Sequence, residues 1–212
     1  MTVVDWARHG QNVANLSRTF SYRVFDGDLT ELGRLQASCL AETLCAGAGG
    51  YGLLVCSPLR RARQTADIVS ARLRLPVSAE LDDLREVNVG ELDGRRDDAA
   101  WQEYEATLAA WRSGNLARRF GGGESGAELV ARTGRALGAV AVRAGAADAV
   151  VIAHGASIRA ALPALTGQPD PGCDLATGGI ARLVVTPGQS AAAGVALTSW
   201  TASTGSPHHP IG

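Results

Sequence analysis

Residues 2–10 read TVVDWARHG, a short apolar run that favours a β-strand and ends abruptly in an arginine, a histidine and a glycine. Residues 149–153 read AVVIA, the most apolar strand candidate of the chain, and they end in the same way at His154-Gly155. The chain has only four histidines, and two of them directly follow predicted strands. We therefore expect His9 and His154 at equivalent points of one sheet, at the edge where α/β domains bind ligands. Ser57, which follows the predicted strand 53–56, and Arg61 are expected at the same edge.

On either side of these two runs, apolar periodicity alternates between strand and helix. Thr30 can cap a helix that the glycine-rich stretch 47–52 stops, and Ser57-Pro58 has the character of a helix cap followed by a first-turn proline. Such alternation is typical of an α/β fold, a three-layer α/β/α sandwich with a largely parallel central sheet. The predicted strands are 2–7, 53–56, 149–153, 181–185 and 195–200, and a short segment around 77 is left unassigned. The predicted helices are 30–44, 57–73, a helix-like stretch that contains 101–111, 124–143 and 156–165.

Length and hydrophobic content bound the number of domains. With 212 residues, of which 46% are hydrophobic, the chain can bury one sizeable core. We predict a single domain over residues 1–202, with a small helical insertion at about 95–121 that covers the site. Residues 203–212 are expected to form a flexible tail. The His208-His209 pair in this tail lacks partnering ligands, and whether it is native stays open.

Charge and composition exclude several classes of function. The formal net charge is −1, with acidic and basic residues interspersed, so neither nucleic acid nor an anionic membrane surface is an expected partner. All 20 basic residues are arginine, which excludes Schiff-base lysine chemistry and a Walker-type phosphate loop. We expect a small soluble molecule as the partner, arginine as the source of every fixed cation, and neither a metal nor a cofactor.

The predicted location is the cytoplasm. The four cysteines show no C-x-x-C spacing and lie in apolar stretches, which favours buried thiols in a reducing compartment over disulfides. The chain goes from Met1 into a strand-like run without a basic region and a long apolar stretch, and no segment of about 18 uninterrupted apolar residues appears. The arginine-, alanine- and glycine-rich composition indicates a GC-rich bacterial genome.

Five segments follow one another in an informative order. They are 7–11 (ARHGQ), 29–33 (LTELG), 57–66 (SPLRRARQTA), 84–94 (LREVNVGELDG) and 152–155 (IAHG). Together they resemble the histidine phosphatase (phosphoglycerate mutase-like) superfamily, whose Arg-His-Gly signature alone would be a weak match. The similarity runs from about Val3 to Leu165, and residues 122–125 (GGES) also resemble the helix-opening segment of that family.

The resemblance implies a phosphoryl-transfer enzyme with five catalytic residues. By similarity, His9 is phosphorylated, and Glu86 donates a proton to the leaving group and then accepts one from water. Arg8 and Arg61 would bind the phosphoryl group, while His154 would stabilise its charge. These residue types suit the reaction, because attack on a phosphate monoester needs a nucleophile, donors around the equatorial oxygens and an acid. A neutral imidazole is reactive near pH 7, and arginine offers a planar fork of donors.

Further residues near these motifs are predicted to bind the phosphate. Asn15 stands six residues after His9, where the family often carries an amide donor, and Gln11 is a second amide candidate. Gly155 would let backbone approach closely before the next helix. The predicted phosphate-binding set is Arg8, Gln11, Asn15, Arg61, His154 and Gly155.

Two positions depart from the family pattern. Asn12 stands where threonine or serine is usual, and Asp93 stands where glutamate is usual after Gly90. Neither replaces a predicted catalytic group. Both border the predicted pocket, so they leave the fine substrate preference open.

The predicted function is hydrolysis of a small phosphorylated metabolite through a phosphohistidine. Residues 85–94 are similar to the phosphatase branch of the family, and the insertion is shorter than in the mutases, where extra basic groups grip a carboxylate. A cofactor-dependent phosphoglycerate mutase is the first alternative. A non-catalytic phospho-ligand sensor is the second, although a sensor would be expected to lack at least one of the five core groups.

Several features stay open at this point. Five arginines could recognise an anionic substrate or only solubilise the surface, namely Arg18, Arg23, Arg112, Arg118 and Arg119. Four aromatic residues could line an apolar pocket, although such residues are more often part of the core, namely Trp101, Tyr104, Trp111 and Phe120. The substrate and the oligomeric state are also open, with a homodimer as one candidate assembly.

Overall fold

The computed structural model describes residues 1–47, 50–170, 172–186 and 194–201, so the predicted tail with His208-His209 lies outside the described residues. None of the described helices is long and apolar enough to cross a membrane. The strands are β1 (Thr2–Arg8), β2 (Tyr51–Cys56), β3 (Val77–Glu80), β4 (Asp148–Ala153), β5 (Ile180–Val185) and β6 (Val195–Trp200). The helices are α1 (Val13–Ser17), α2 (Glu31–Ala46), α3 (Arg60–Leu73), α4 (Asp98–Arg112), α5 (Gly126–Ala144) and α6 (Gly155–Thr166).

The six described strands form one sheet in the order β3-β2-β4-β1-β5-β6. β1 pairs in parallel with β4, and β2 pairs in parallel with both β4 and β3. β5 runs antiparallel to β1, and β6 runs antiparallel to β5. Among these strands only β5 therefore points the other way, which confirms the prediction of a largely parallel sheet.

Alternation along β4 explains why helices cover both faces of the sheet. Successive side chains of a strand point to opposite faces. Val150 and Ile152 lie in one buried cluster with Leu44 of α2 and Val69 of α3. Val151 lies in a second cluster, which contains the buried residues of α5 and α6. The three-layer α/β/α sandwich predicted from the sequence is confirmed.

The strand registers bring three strand ends together. Arg8 at the end of β1 pairs with Ala153 at the end of β4, so His9 and His154 are the next residues on two neighbouring parallel strands. β2 pairs with the other side of β4 and stops one residue earlier in the register, so Ser57 follows at the same edge. The topology thus gathers residues that are far apart in the chain.

The aromatic residues of the predicted insertion belong to the core. α4 begins after Asp97, whose carboxylate caps the first turn. Trp101, Tyr104, Trp111 and Phe120 are all buried. The ring centroids of Tyr104 lie 5.5 Å from Trp101 and 5.9 Å from Phe120, and those of Trp111 and Phe120 lie 5.4 Å apart. These side chains therefore pack against one another and hold α4 on the body of the domain.

Two predicted helix starts are displaced. Ser57 does not cap α3, which begins three residues later, and the Ser57 hydroxyl accepts the N–H of Leu59 at 3.3 Å instead. α5 begins at Gly126, two residues after the predicted position. The reason is a reciprocal capping box, in which Ser125 and Glu128 satisfy each other's backbone N–H groups.

The prediction of buried thiols is correct for one cysteine of the four. Cys56 on β2 is buried, Cys39 is exposed, and Cys45 and Cys173 are half-buried. All four thiols are free. Helix periodicity explains the error, because Cys39 lies on α2 next to buried positions but faces away from the sheet.

Candidate active site

His9 directly follows β1 and is 1% exposed. Its Nδ1 lies 2.6 Å from the carbonyl oxygen of Gly10, which can only accept a hydrogen bond, so Nδ1 carries the ring proton. Its Nε2 accepts the Nε–H of Arg61 at 3.0 Å and therefore presents a lone pair. The two contacts together select the tautomer in which Nε2 is nucleophilic.

Burial and neighbouring cations keep both site histidines uncharged. Burial is the main cause that lowers the pKa of His9 well below its ordinary value, and the positive charges of Arg61 and Arg8 lower it further. The pKa of His154 is lowered well below its ordinary value for the same reasons, first by burial and then by Arg61. Two neutral imidazoles therefore stand beside two guanidinium groups.

Arg61 lies in the first turn of α3, and its side chain is 3% exposed. Besides the bond to His9, its Nη1 donates to the Ser21 hydroxyl and its Nη2 to the Ser21 carbonyl, both at 3.0 Å. Nη1 also lies 3.6 Å from a carboxylate oxygen of Asp26. The loop between α1 and α2 thus holds the guanidinium against the imidazole.

Arg8, the last residue of β1, is buried beside the first residue of α6. Its Nη1 donates to the carbonyl of Leu175 at 2.8 Å. A Cβ atom at Gly155 would lie 2.8 Å from both Cδ and Nε of Arg8, so glycine is required for this approach. Burial lowers the pKa of Arg8 to about 10, opposed in part by the charge of Glu86, and the guanidinium stays charged at neutral pH. The close approach predicted at Gly155 is therefore that of the Arg8 side chain.

His154 directly follows β4 and is fully buried, with its ring centroid 5.1 Å from that of His9 in an edge-on arrangement. Its Nε2 lies 2.7 Å from the hydroxyl of Ser57. Its Nδ1 is buried and has no hydrogen-bond partner among the described residues. Ser57 is thus a site residue. Its place directly after a predicted strand put it at this sheet edge, but the sequence predicted no chemical role for it beyond that of a helix cap.

Glu86 lies between β3 and α4 and is 8% exposed. Its Oε1 accepts the backbone N–H of Ser157, in the first turn of α6, at 2.8 Å and that of Val87 at 2.9 Å. Its Oε2 is buried and has no hydrogen-bond partner in the described part of the chain. One carboxyl oxygen is therefore fixed by donors, and the other is free to carry a proton.

A cavity of about 380 Å³, which includes space open to solvent, joins Glu86 to Arg61. His9 does not line it, so Arg61 connects the cavity to the His9 ring. Tyr104 also lines the cavity. Burial, followed by the charge of Glu86, raises the pKa of Tyr104 well above the ordinary value, which keeps its hydroxyl protonated. The other lining residues are Asn12, Ala14, Asn15, Phe20, Ser21, Val87 and Val89.

The two asparagines after His9 fix each other. The side-chain oxygen of Asn12 accepts the N–H of Asn15 at 3.1 Å, and that of Asn15 accepts the N–H of Asn12 at 3.0 Å, which caps α1. The Nδ2 of Asn12 is buried without a partner among the described residues. Gln11 is bound elsewhere, because its Oε1 accepts the Thr30 hydroxyl at 2.9 Å. The structure thus brings Asn15 to the cavity together with Asn12, but it does not bring Gln11.

Asp93 holds the loop that contacts Arg61. One of its carboxylate oxygens accepts the N–H of Tyr22 at 2.8 Å, and the other accepts those of Arg23 at 2.7 Å and Val24 at 2.8 Å. Ser21, which directly precedes these residues, supplies two of the oxygens that bind the guanidinium. Asp93 therefore acts on the site through this loop.

None of the five arginines left open by the sequence lines the described cavity. Arg18 lies over the ring of Trp101, with Cζ 5.1 Å from the centroid, and Arg118 donates to Thr107 at 3.1 Å. Arg119 forms a surface ion pair with Glu128 of α5. Among the described residues, no group of three or more His, Cys, Asp or Glu is arranged to hold a metal ion.

Residues 6–196 match the model of the histidine phosphatase superfamily, branch 1. A metal-independent phosphoserine phosphatase of Arabidopsis thaliana is 32% identical over 161 residues, which are 76% of this chain and 67% of the relative. A probable phosphoglycerate mutase of Yersinia enterocolitica is 31% identical over 169 residues, which are 80% of this chain and 77% of the relative. A solved mycobacterial glucosyl-3-phosphoglycerate phosphatase is 28% identical with a TM-score of 0.78, over 96% of this chain and 100% of the other. The match over nearly the whole length and the shared sandwich show that this chain belongs to the histidine phosphatase superfamily.

Proposed function

We propose that this protein hydrolyses the phosphomonoester of a small metabolite, with His9 as the nucleophile and a phosphohistidine as the intermediate. The observation that carries the proposal is the pair of contacts made by the two ring nitrogens of His9. Its Nδ1–H is bound to Gly10, and the lone pair of Nε2 faces the guanidinium of Arg61 at 3.0 Å. A guanidinium beside a nucleophilic nitrogen is well suited to hold the phosphoryl group that the nitrogen attacks.

In the first step, Nε2 of His9 forms a bond to phosphorus while the bond from phosphorus to the leaving oxygen breaks. Arg8, Arg61 and His154 stabilise the charge on the equatorial oxygens. Glu86 gives the proton of Oε2 to the leaving oxygen, so the first product departs as an alcohol. The resulting carboxylate is stabilised by the two backbone N–H groups that Oε1 already accepts.

In the second step, water attacks the phosphohistidine. The carboxylate of Glu86 accepts a proton from the water, while the bond from phosphorus to Nε2 of His9 breaks and its electron pair returns to the ring. Inorganic phosphate is the second product. The cycle returns the transferred proton to Glu86 and leaves His9 neutral, and the depressed pKa of His9 favours its neutral form.

Phosphatase activity is better supported than mutase activity. The similar proteins include a phosphoserine phosphatase and a glucosyl-3-phosphoglycerate phosphatase, together with several probable phosphoglycerate mutases. A phosphoglycerate mutase must also bind a carboxylate, yet Arg61 is the only cationic side chain that lines the cavity in the described part of the chain. The non-catalytic alternative is disfavoured because all five predicted catalytic residues are present.

Several wider predictions accompany this proposal. We place the enzyme in the bacterial cytoplasm, supported by its free cysteines and its arginine-only basic composition. We assign the activity to a single domain over residues 1–202, with the insertion at about 95–121 contributing Tyr104 to the cavity. A homodimer stays a prediction, and light scattering would test it by measuring the molar mass in solution.

Phosphate release by the wild type and by His9→Ala tests the proposal. The substrates are p-nitrophenyl phosphate, phosphoserine, and 3-phosphoglycerate with 2,3-bisphosphoglycerate, each with and without EDTA. We expect release by the wild type in the presence of EDTA, and its loss in His9→Ala with a native circular dichroism spectrum. Release that survives in His9→Ala contradicts the mechanism. Isomerisation without release would favour the mutase, and an inactive wild type would favour the sensor.

A further inference from the structure

We infer that Arg132, together with Glu124, is a positioning residue for Glu86. This inference rests on the proposed function, in which Glu86 donates the proton. Neither Arg132 nor Glu124 lines the cavity, so neither is expected to touch substrate. Their role is to hold the backbone from which the proton donor extends.

The guanidinium of Arg132 donates hydrogen bonds to backbone carbonyl groups at and just before Glu86, the proposed proton donor. Arg132 lies on α5, and its side chain is 13% exposed. Its Nη1 donates to the carbonyls of Asp83 and Arg85, both at 2.8 Å, and its Nη2 donates to the carbonyl of Glu86 itself at 3.0 Å. Three backbone oxygens within four residues thus converge on one side chain.

Glu124 completes this arrangement. Its Oε2 accepts Nε–H of Arg132, and its Oε1 accepts Nη2–H, both at 2.8 Å. Arg132 therefore has a partner for each of the five N–H donors of a guanidinium. Oε1 of Glu124 also accepts the backbone N–H of Asn88 at 2.7 Å. The segment is consequently tied to the start of α5 on both sides of Glu86.

Only one of the two carboxyl oxygens of Glu86 is fixed by hydrogen bonds among the described residues. Its Oε1 is bound by two backbone N–H groups, and its Oε2 has no hydrogen-bond partner among the described residues. The position of the acidic oxygen therefore depends on the path of the backbone. Proton transfer requires a donor at about 2.6–3.2 Å, and a displacement of about 1 Å can lower the rate by roughly 100-fold.

Lysine cannot replace arginine in this role. An ammonium group has three donors at one point, so it cannot serve three carbonyls and two carboxylate oxygens that surround a planar guanidinium. Arg135 provides a matched control on the same helix. It is exposed, and it pairs with the carboxylate of Asp83, at 3.0 and 3.2 Å, rather than with the backbone.

The dependence of kcat/KM on the leaving group tests this role. p-Nitrophenolate can leave without a proton, whereas the alkoxide of glycerol 2-phosphate needs one, so a misplaced acid slows the second substrate more. We expect Arg132→Lys and Glu124→Gln to lower kcat/KM for glycerol 2-phosphate by roughly 10- to 100-fold more than for p-nitrophenyl phosphate. Glu86→Gln should shift the ratio in the same direction, and Arg135→Lys should leave it unchanged.

An equal loss on both substrates in the Arg132 and Glu124 variants would overturn the inference, because a partly unfolded enzyme or a damaged phosphate site lowers both rates alike. If Arg132→Lys does not fold, Glu124→Gln tests the inference by the same ratio of kcat/KM values for the two substrates. This substitution removes a charge and one acceptor but keeps the volume of the side chain. Failure of the proposed function is distinguishable. It would appear in the parent protein, as a wild type that releases no phosphate from either substrate or as activity that survives His9→Ala.

Discussion

The Nε–H of Arg61 donates to Nε2 of His9 over 3.0 Å, so the proposed phosphate ligand and the proposed nucleophile share a hydrogen bond. Arg61 lines the cavity, whereas His9 is almost fully buried behind it. A phosphoryl group that reaches Nε2 must replace this bond. In the proposed mechanism, the donors of the guanidinium then bind the phosphoryl oxygens instead of the imidazole.

Replacing Arg61 with methionine should raise the pKa of His9 and lower activity. The pKa should rise toward its ordinary value because a neighbouring positive charge is lost, although burial continues to depress it. Loss of a charged donor should lower kcat/KM by roughly 100- to 1,000-fold. A histidine NMR titration and a phosphate-release assay measure the two effects. Arg63→Met is the control, because Arg63 lies on the same helix and pairs with Glu80 at the surface. An unchanged His9 pKa would contradict this account.

Stability should fall as the pH drops below about 6.5, the ordinary pKa of histidine in an unfolded chain. The folded-state pKa values of His9 and His154 are both lowered, so below pH 6.5 the unfolded state binds more protons. Their contribution is complete above that pH and is lost as the pH falls toward the folded-state values, by about 1.4 kcal/mol per pH unit for each histidine. Urea unfolding at pH 8, 6 and 5 measures this slope. In His154→Gln the slope in this range should be smaller, and an identical slope would show that His154 does not contribute.

Gly155→Ala should weaken phosphate binding. The added Cβ would lie 2.8 Å from Arg8, which must move away from its position beside α6. Loss of a hydrogen bond to a charged group corresponds to roughly 10- to 100-fold in affinity, measured as the inhibition constant of inorganic phosphate. Gly138→Ala on α5 is the matched control, because nothing lies within 4 Å of its Cβ. That change should leave inhibition unaltered and raise the free energy of unfolding by about 0.5–1 kcal/mol.

Asp93→Asn should loosen the loop that holds Arg61. The carboxylate of Asp93 accepts three backbone N–H groups, whereas an amide offers one oxygen and would turn its own N–H groups toward donors. We expect faster amide hydrogen exchange at residues 22–24 and a several-fold higher KM, because these residues act on Arg61 indirectly, through Ser21. Asp93→Glu restores the residue usual in the family. In this variant the amide hydrogens of residues 22–24 should exchange more slowly than in Asp93→Asn. Equal exchange rates in the wild type and Asp93→Asn would show that the loop is held by other contacts.

The fold could be predicted from local patterns. The alternation of apolar runs located five of the six described strands and five of the six described helices to within a few residues. The short strand β3 was not assigned, because its four residues are only half-buried or exposed. The short helix α1 was missed because its five residues have too little periodicity, and its asparagine capping pair is the signal that was available. The ends of two runs also placed His9 and His154 side by side, because parallel strands in register end at one edge.

The remaining parts of the site depend on partners that are distant in the chain. Ser57 binds His154 across 97 positions, and the N–H of Ser157 binds Glu86 across 71. No periodicity or motif spacing encodes such contacts, since they arise when α6 and the loop before α4 pack on the same sheet edge.

The amino-acid sequence was sufficient for the sandwich, the strand-end histidines and the family, because these follow from short-range patterning and motif order. The three-dimensional packing determined the tautomer of His9 and the arrangement of Arg132 with Glu124 around Glu86. It also determined that Gln11 binds the Thr30 hydroxyl and not the cavity. Hydrogen-bond partners are chosen by distance in space, and that distance is defined only after the helices have packed on the sheet.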